Sequence, residues 1–357
     1  MSHMKMKTKE VCSYDILSLG EVMLRLDSGE ERVRNTRQFK AWEGGGEYNV
    51  ARGLHRCFNQ RAAIVTALAD NDIGYLIEDL IYQGGVDMTY LKHLPSDERG
   101  LRNGLNFTER GFGFRSSLGT SDRGDTAISR LKPGDIDWHK IFGKDGVRWF
   151  HTGGVFAALS DSSKEVALEA VKIAKQYGTK VSYDPNYRAS LWSDRGGVEA
   201  AQELNREISN YADVIMGMSL DSAIIDLNLN KLNQKELTNI FEKTAAKFPD
   251  LKVITTTLRE VKSATINDWR AIAWSPEQGL VESSHYKNLE LLDRVGGGDS
   301  FASGLIYGLL KGGALQEAVD YGAAHGVLAM TTPGDTSSAR LDEVEQVMKG
   351  AGEAVIR

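Results

Sequence analysis

Short apolar runs alternate along this chain with longer segments whose apolar residues gather on one face. Candidate strands are YDILSLGEVMLRL from Tyr14, AAIVTAL from Ala62, GVRWFHTGG from Gly146, KVSYDPN from Lys180 and ADVIMG from Ala212. LKVITTTL from Leu251 and KSATIN from Lys262 complete the set. Between them, Glu47 to Phe58 places Val50, Leu54, Cys57 and Phe58 on one helical face, and Ser162 to Tyr177 and Val198 to Tyr211 read the same way. Strand-helix alternation predicts an α/β fold, a mostly parallel central sheet with helices on both sides.

Two stretches break that rhythm. Asp27 to Trp42 is polar and Arg-rich, and Leu101 to Arg130 mixes glycines, aromatics and arginines. They read either as surface loops or as irregular strands of a small lid over the strand ends, where α/β proteins bind ligands. The expected organisation is one α/β domain over residues 1–357, with lid segments near 25–43 and 98–130. No apolar run reaches the ~18 residues of a membrane span. The opening MSHM reads as an expression scar, because no apolar signal region follows. Cys12 and Cys57 are too few for a disulfide framework, so a cytoplasmic location is expected. A net charge of −6 argues against nonspecific nucleic-acid binding but leaves room for a local anion site.

The segment LLDRVGGGDSFASGLIYGLL, from Leu291, points to such a site. After Asp299, the residues Phe301, Leu305, Ile306, Leu309 and Leu310 fall near helical spacing, and Gly312-Gly313 supplies the stop. Gly296, Gly297 and Gly298 then sit at the helix N-terminus, where N–H groups lack partners and the dipole is positive. Glycines there admit a ligand to the backbone, which is the chemistry of an anion hole. Asp299 has two readings. It is an N-cap accepting helix N–H bonds, or it is a general base that takes a proton from a hydroxyl attacking a bound phosphate.

The same segment resembles the C-terminal D-T-x-G-A-G-D signature of the PfkB (ribokinase-like) carbohydrate kinases, with Arg294 at the threonine and Gly297 at the alanine. WEGGGEYNVARGL resembles their N-terminal G-G-x-x-x-N-x-A signature through Gly44, Gly45, Asn49 and Ala51. Further similarity lies in ALADNDIGYLIEDLIYQGGVD, SYDPNYRASLW and GAAHGVLAMTTPGD, in the family's order. Within the family, DPNYRASLW is similar to an element of 2-keto-3-deoxygluconate kinases whose arginine binds the substrate carboxylate. That similarity carries the role to Arg188, and SDRG carries a second contact to Arg123, with Ser121 at a usual tyrosine. A guanidinium suits a carboxylate by its paired donors. The competing reading pairs Arg188 with Asp184 or Asp194. Arg25 stands near the place of a sugar-gripping aspartate; it either favours an anionic substrate or faces solvent.

The resemblance implies a three-layer α/β/α kinase with a β-lid that uses ATP and Mg²⁺ on a keto-sugar acid of the 2-keto-3-deoxygluconate type. In it Asp299 is the base, the amides of Gly296 to Gly298 are the anion hole, and Gly44, Gly45, Gly46, Asn49, Asp184, Arg123 and Arg188 hold the sugar. Asp221, Leu258, Arg259 and His325 fall on the nucleotide side. Neither nucleic acid nor membrane is an expected partner, and a homodimer through the lid is implied by analogy. Two departures lie on the nucleotide side. Met218 and Asp221 replace the N-x-x-E motif that orders Mg²⁺, and TTTLREVKSAT replaces a glycine-bearing nucleotide loop. The alternatives are a neutral-sugar kinase, such as a fructokinase or ribokinase, and a sugar-binding regulator without turnover. His151, after VRWF, is expected to be a packed polar residue.

Overall fold

Neighbouring residues on the central strands enter two different buried clusters. Leu17, Ala63, Val65, Phe150 and Val181 join one, while Ile16, Ala62, Ile64, Trp149 and Val214 join the other. Successive side chains of a strand point to opposite faces, so both faces of this sheet are apolar and both require cover. Helices supply it. Asp161–Gln176, Gly197–Ser209 and Gln234–Ala245 pack on the first cluster. Gly46–Arg56, Asp72–Gly84, Gly297–Leu310 and Leu315–Ala329 pack on the second, and the result is a three-layer α/β/α arrangement.

The structure, a computed structural model, describes residues 4–95, 100–218 and 228–350. Its strands run β1 (Tyr14–Leu19), β2 (Met23–Asp27), β3 (Lys40–Gly44), β4 (Ala62–Ala69), β5 (Asp87–Leu94), β6 (Leu105–Glu109) and β7 (Leu118–Asp122). They continue with β8 (Val147–Gly153), β9 (Lys180–Asp184), β10 (Val214–Met216), β11 (Val253–Val261), β12 (Ile266–Ser275), β13 (Gly279–Glu282) and β14 (Tyr286–Glu290). The main sheet has the order β13-β12-β11-β10-β9-β8-β1-β4-β5, with β14 also paired to β12. From β11 to β5 every pairing is parallel; β12 pairs antiparallel with β11, β13 and β14.

The segment from Tyr14, expected as one strand, divides at Gly20. A Cβ on Gly20 would overlap the Glu47 carboxyl, and beyond this point β2 leaves the main sheet. KSATIN is not a separate strand either. It holds the turn between β11 and β12, where Ser263 Oγ accepts from the N–H groups of Thr265 and Ile266. The two irregular stretches do contain strands. β3, β2, β6 and β7 form a second sheet in that order, and all five residues of β7 are exposed.

The Gly297–Leu310 helix is held unusually close to its neighbour. Cβ atoms on Gly304 and Gly308 would sit 2.5 Å from the Tyr321 carbonyl oxygen and the Ala318 Cα. Leu305 and Ile306 are fully buried, each contributing about 2 kcal/mol relative to exposure. Close packing fixes the helix axis, and with it the position of the glycine tip and Asp299.

Candidate active site

A cleft of about 470 Å³ lies at the C-terminal ends of β1, β8 and β9, the side on which open α/β sheets present ligand sites. The main sheet contributes His151, Gly153 and Asp184 to its wall, and the second sheet contributes Met23, Asn106 and Ser121. The start of the Gly46–Arg56 helix and the glycine tip close the remaining sides.

The three glycines at that tip meet three separate requirements. Gly296 is the N-cap, with φ at +78°, and a Cβ there would overlap the Asp335 carbonyl oxygen. Gly297 is buried against Met330, whose Sδ lies 3.0 Å from where its Cβ would be. Gly298 faces open space in the cleft. No side chain caps this helix. The reading of Asp299 as an N-cap is therefore excluded: it is the third helical residue, and the first N–H groups are left for a ligand.

Asp299 Oδ2 accepts a hydrogen bond of 2.7 Å from Asn49 Nδ2. Asn49 is itself oriented by Gly45, whose N–H donates to Asn49 Oδ1 at 3.3 Å. Burial pushes the Asp299 carboxyl up to about 7; the Asn49 bond opposes that rise, while Asp184 and Asp335 add to it. Asp184, at the end of β9, is pushed up to about 6, again chiefly by burial and against the N–H of Asn186. Glu47 is pushed up to about 8 by burial, with a further contribution from Asp299 and Asp184. With Asp335, which burial also pushes up against the charge of Arg25, four carboxyl groups line one cleft with raised proton affinities, a pattern typical of sites that move protons.

Arg188, Arg259 and Arg294 all line the cleft, and no carboxylate among the described residues lies within ion-pair distance of any of them. The expected alternative for Arg188, a pair with Asp184 or Asp194, does not form. Arg259 is held below its ordinary value by burial and by the charge of Arg294. Unpaired guanidinium groups beside a helix N-terminus suit anionic ligands. Arg123 differs: it lines the cleft but donates through Nε to Glu21 Oε2 at 3.0 Å, with a second bond from Nη2. Ser121 bonds to Asn106 Oδ1 at 3.2 Å on the same wall.

Gly45, Gly46, Asn49, Asp184, Arg123, Arg188, Arg259, Gly296, Gly298 and Asp299 all line this one cleft. Gly44 stands behind them, where a Cβ would overlap the Asp335 carboxylate. Leu258 does not reach the cleft, because its side of β11 packs into the apolar core. His325 is also fully buried, with Nδ1 at 2.9 Å from Ser303 Oγ and from the Ser300 carbonyl, and its ring against Phe58. Met218 packs in the core, and Asp221 lies outside the described residues. His151 is packed against Ser182 at 2.8 Å while one edge reaches the cleft. Arg25 fits neither expectation: it is fully buried among Asp27, Asp293 and Asp335. Sequence reasoning missed Glu21, Glu47 and Asp335 as cleft residues. Glu47 sits inside the GGGEYN motif and Asp335 inside TTPGD, so the signal was proximity to motifs already noticed.

Known proteins share this frame. The structure of 2-dehydro-3-deoxygluconokinase from Thermotoga maritima matches with a TM-score of 0.85 and 34% identity, over 94% of this chain and 99% of that one. A 2-dehydro-3-deoxygalactonokinase of Haloferax volcanii is 26% identical, covering 96% of this chain and 99% of its own. A 5-dehydro-2-deoxygluconokinase of Bacillus subtilis is 25% identical, covering 97% and 99%. The model of the pfkB family carbohydrate kinases matches residues 10–341. With the fold, the glycine tip and both signatures in place, this chain belongs to the pfkB family of carbohydrate kinases.

Proposed function

We propose that this kinase phosphorylates the terminal primary hydroxyl of a keto-deoxy sugar acid of the 2-keto-3-deoxygluconate type, with ATP as donor. The observation that carries the reading is the meeting, in one cleft, of Asp299 held by Asn49 at 2.7 Å, an uncapped helix tip, and the unpaired Arg188. All three relatives above are named for deoxy keto-aldonates, which carry a carboxylate. Kinases of this family use ATP.

Arg188 pairs with the substrate carboxylate, and Asn49 with Gly45 and Gly46 orients its hydroxyls by close approach. The terminal oxygen attacks the γ-phosphorus, the bond from that phosphorus to the β-bridging oxygen breaks, and ADP leaves. The hydroxyl proton passes to Asp299, late in a loose transition state, so a carboxylate suffices as base. The amides of Gly296 to Gly298 hold the transferring group, each donor lowering the barrier by about 3 kcal/mol. Arg259 and Arg294 neutralise nucleotide phosphates on the other side. The described residues hold no group of three carboxylate, histidine or cysteine side chains able to cage a metal. Mg²⁺ would enter with the nucleotide and would screen phosphate charge there. The second sheet, as a lid, excludes water from the reacting groups.

One observation favours a neutral sugar: Arg123, the second expected carboxylate contact, is already committed to Glu21. A panel of 2-keto-3-deoxygluconate, 2-keto-3-deoxygalactonate, 5-keto-2-deoxygluconate, fructose and ribose, read by coupled ADP release, separates the two. The acids are expected to exceed the neutral sugars in kcat/KM by roughly 100-fold, the scale of a charged hydrogen bond left unmade. Faster turnover of fructose or ribose contradicts the proposal. The same reading includes a homodimer through the lid, supported by the exposed edge strand β7 and the exposed Phe112, Phe114 and Leu118, and light scattering tests it. It also includes a cytoplasmic setting, which suits the free, buried Cys12 and Cys57.

A further inference from the structure

Arg25 is among the largest fully buried side chains of the protein, and it lies directly behind the glycine tip. Its guanidinium donates to Asp335 Oδ1 through Nη1, and through Nη2 to Asp293 Oδ2 and, at 2.9 Å, to Asp27 Oδ2. Its Nε is buried without a partner among the described residues. Both distal acids belong to the frame of the tip. Asp293 accepts the N–H of Val295 at 3.1 Å and the N–H of Gly334 at 3.3 Å. Asp335 lines the cleft, and its carbonyl occupies the space that a Cβ on Gly296 would need.

Three carboxylates beside a phosphate site are an electrostatic problem. Arg110 approaches only Asp27, at 3.5 Å. Among the described residues Arg25 is therefore the cation shared by Asp293 and Asp335, and the fork of its guanidinium reaches both at once. We propose that Arg25 is a positioning residue for phosphoryl transfer: a fixed internal cation that bridges Asp293 and Asp335, offsets part of their charge and so keeps the glycine tip able to accept a nucleotide phosphate. It touches no ligand itself. This proposal uses the anion hole of the proposed function but not the identity of the sugar.

Arg25 also bears on the base. Asp335 raises the proton affinity of Asp299, and the other groups acting on Asp299 are Asp184, Glu47, Arg188 and the Asn49 amide. Loss of the Arg25 charge leaves Asp335, whose proton affinity burial already raises, readier to take a proton itself, and so changes the charge that Asp299 faces.

The test compares Arg25→Lys, which keeps the charge, with Arg25→Gln, which loses it. Binding of a non-hydrolysable ATP analogue with Mg²⁺ is measured by calorimetry without sugar, so a wild type inactive on sugar acids leaves this readout intact. The Gln variant is expected to bind roughly 30-fold or more weakly and the Lys variant within roughly 5-fold of wild type. The acid limb of kcat/KM, on whichever sugar is turned over, is expected to shift for Gln and to stay in place for Lys. Where the Gln variant does not fold, Arg25→Ala with added ethylguanidinium replaces it, and restored nucleotide binding supports the proposal. Equal nucleotide affinity in folded Lys and Gln variants overturns it. So does an Ala variant that ethylguanidinium refolds without restoring nucleotide binding.

Discussion

Asn49 and Asp299, 250 residues apart in the chain, are joined by a hydrogen bond of 2.7 Å from the amide to the carboxylate. The bond ties the start of one helix to the start of another, and through Gly45 N–H it fixes which amide atom faces Asp299. It also favours the ionised form of Asp299, the form that accepts a proton.

A pH dependence follows. As the proposed base, Asp299 would have to be ionised to act, and its carboxyl is pushed up to about 7. The free-enzyme limb seen in kcat/KM is therefore expected to fall on the acid side with a midpoint near 7. Asn49→Ala removes the opposing bond, so the midpoint moves upward and kcat/KM at neutral pH drops by roughly 10-fold. A profile flat between pH 6 and 8 in wild type would separate Asp299 from the rate.

Stability should carry the opposite sign from activity. A carboxyl whose folded value is raised contributes stability below its unfolded value near 4 and loses it as pH rises through about 7. Asp299→Asn removes that loss. At pH 8 the variant is expected to gain on the order of 2 kcal/mol, reduced from the full shift because part of the group faces water, and to melt a few degrees higher. At pH 4 the gain should disappear. Calorimetric melts at the two pH values check this.

Arg188→Ala is expected to raise KM for the sugar acid roughly 30-fold while changing use of a neutral sugar by less than about 3-fold. The basis is its position in the cleft without a carboxylate partner among the described residues. Equal losses on both substrates would mean that the arginine supports the turn after β9 instead.

Gly296 and Gly298 should respond differently to the same methyl group. At Gly296 a Cβ meets both a left-handed φ of +78° and the Asp335 carbonyl, so Gly296→Ala should cost about 3 kcal/mol or more in urea unfolding. At Gly298 the Cβ meets nothing, so Gly298→Ala should be as stable as wild type or more so, since alanine favours helix. That methyl nevertheless crowds the phosphate, and kcat/KM for ATP should fall roughly 10-fold or more.

Much of this arrangement was legible in the chain. Parallel strands buried on both faces leave near-continuous apolar runs, and Ala62–Ala69, buried at every residue, was read from its composition. The glycine tip and Asn49 were legible because backbone approach and an uncapped helix start leave few residue choices. What stayed hidden depended on partners distant in sequence. Nothing near Arg25 shows that Asp293 and Asp335 will meet it in the interior. Likewise, Arg123 gave no sign of its pairing with Glu21 across the turn between sheets. His325 was placed by analogy at the nucleotide, but its helix turns it toward Phe58 and Ser303. β12 escaped notice because polar Asn267 and Asp268 are buried there and obscure its pattern.

The most direct measurement is single-turnover phosphoryl transfer from ATP to 2-keto-3-deoxygluconate by wild type and by Asp299→Asn at pH 7.5. The account predicts a phosphorylated acid formed in step with ADP by wild type, and a rate lower by roughly 100-fold or more in the variant with sugar affinity unchanged. A variant that transfers the phosphoryl group at close to the wild-type rate would contradict it.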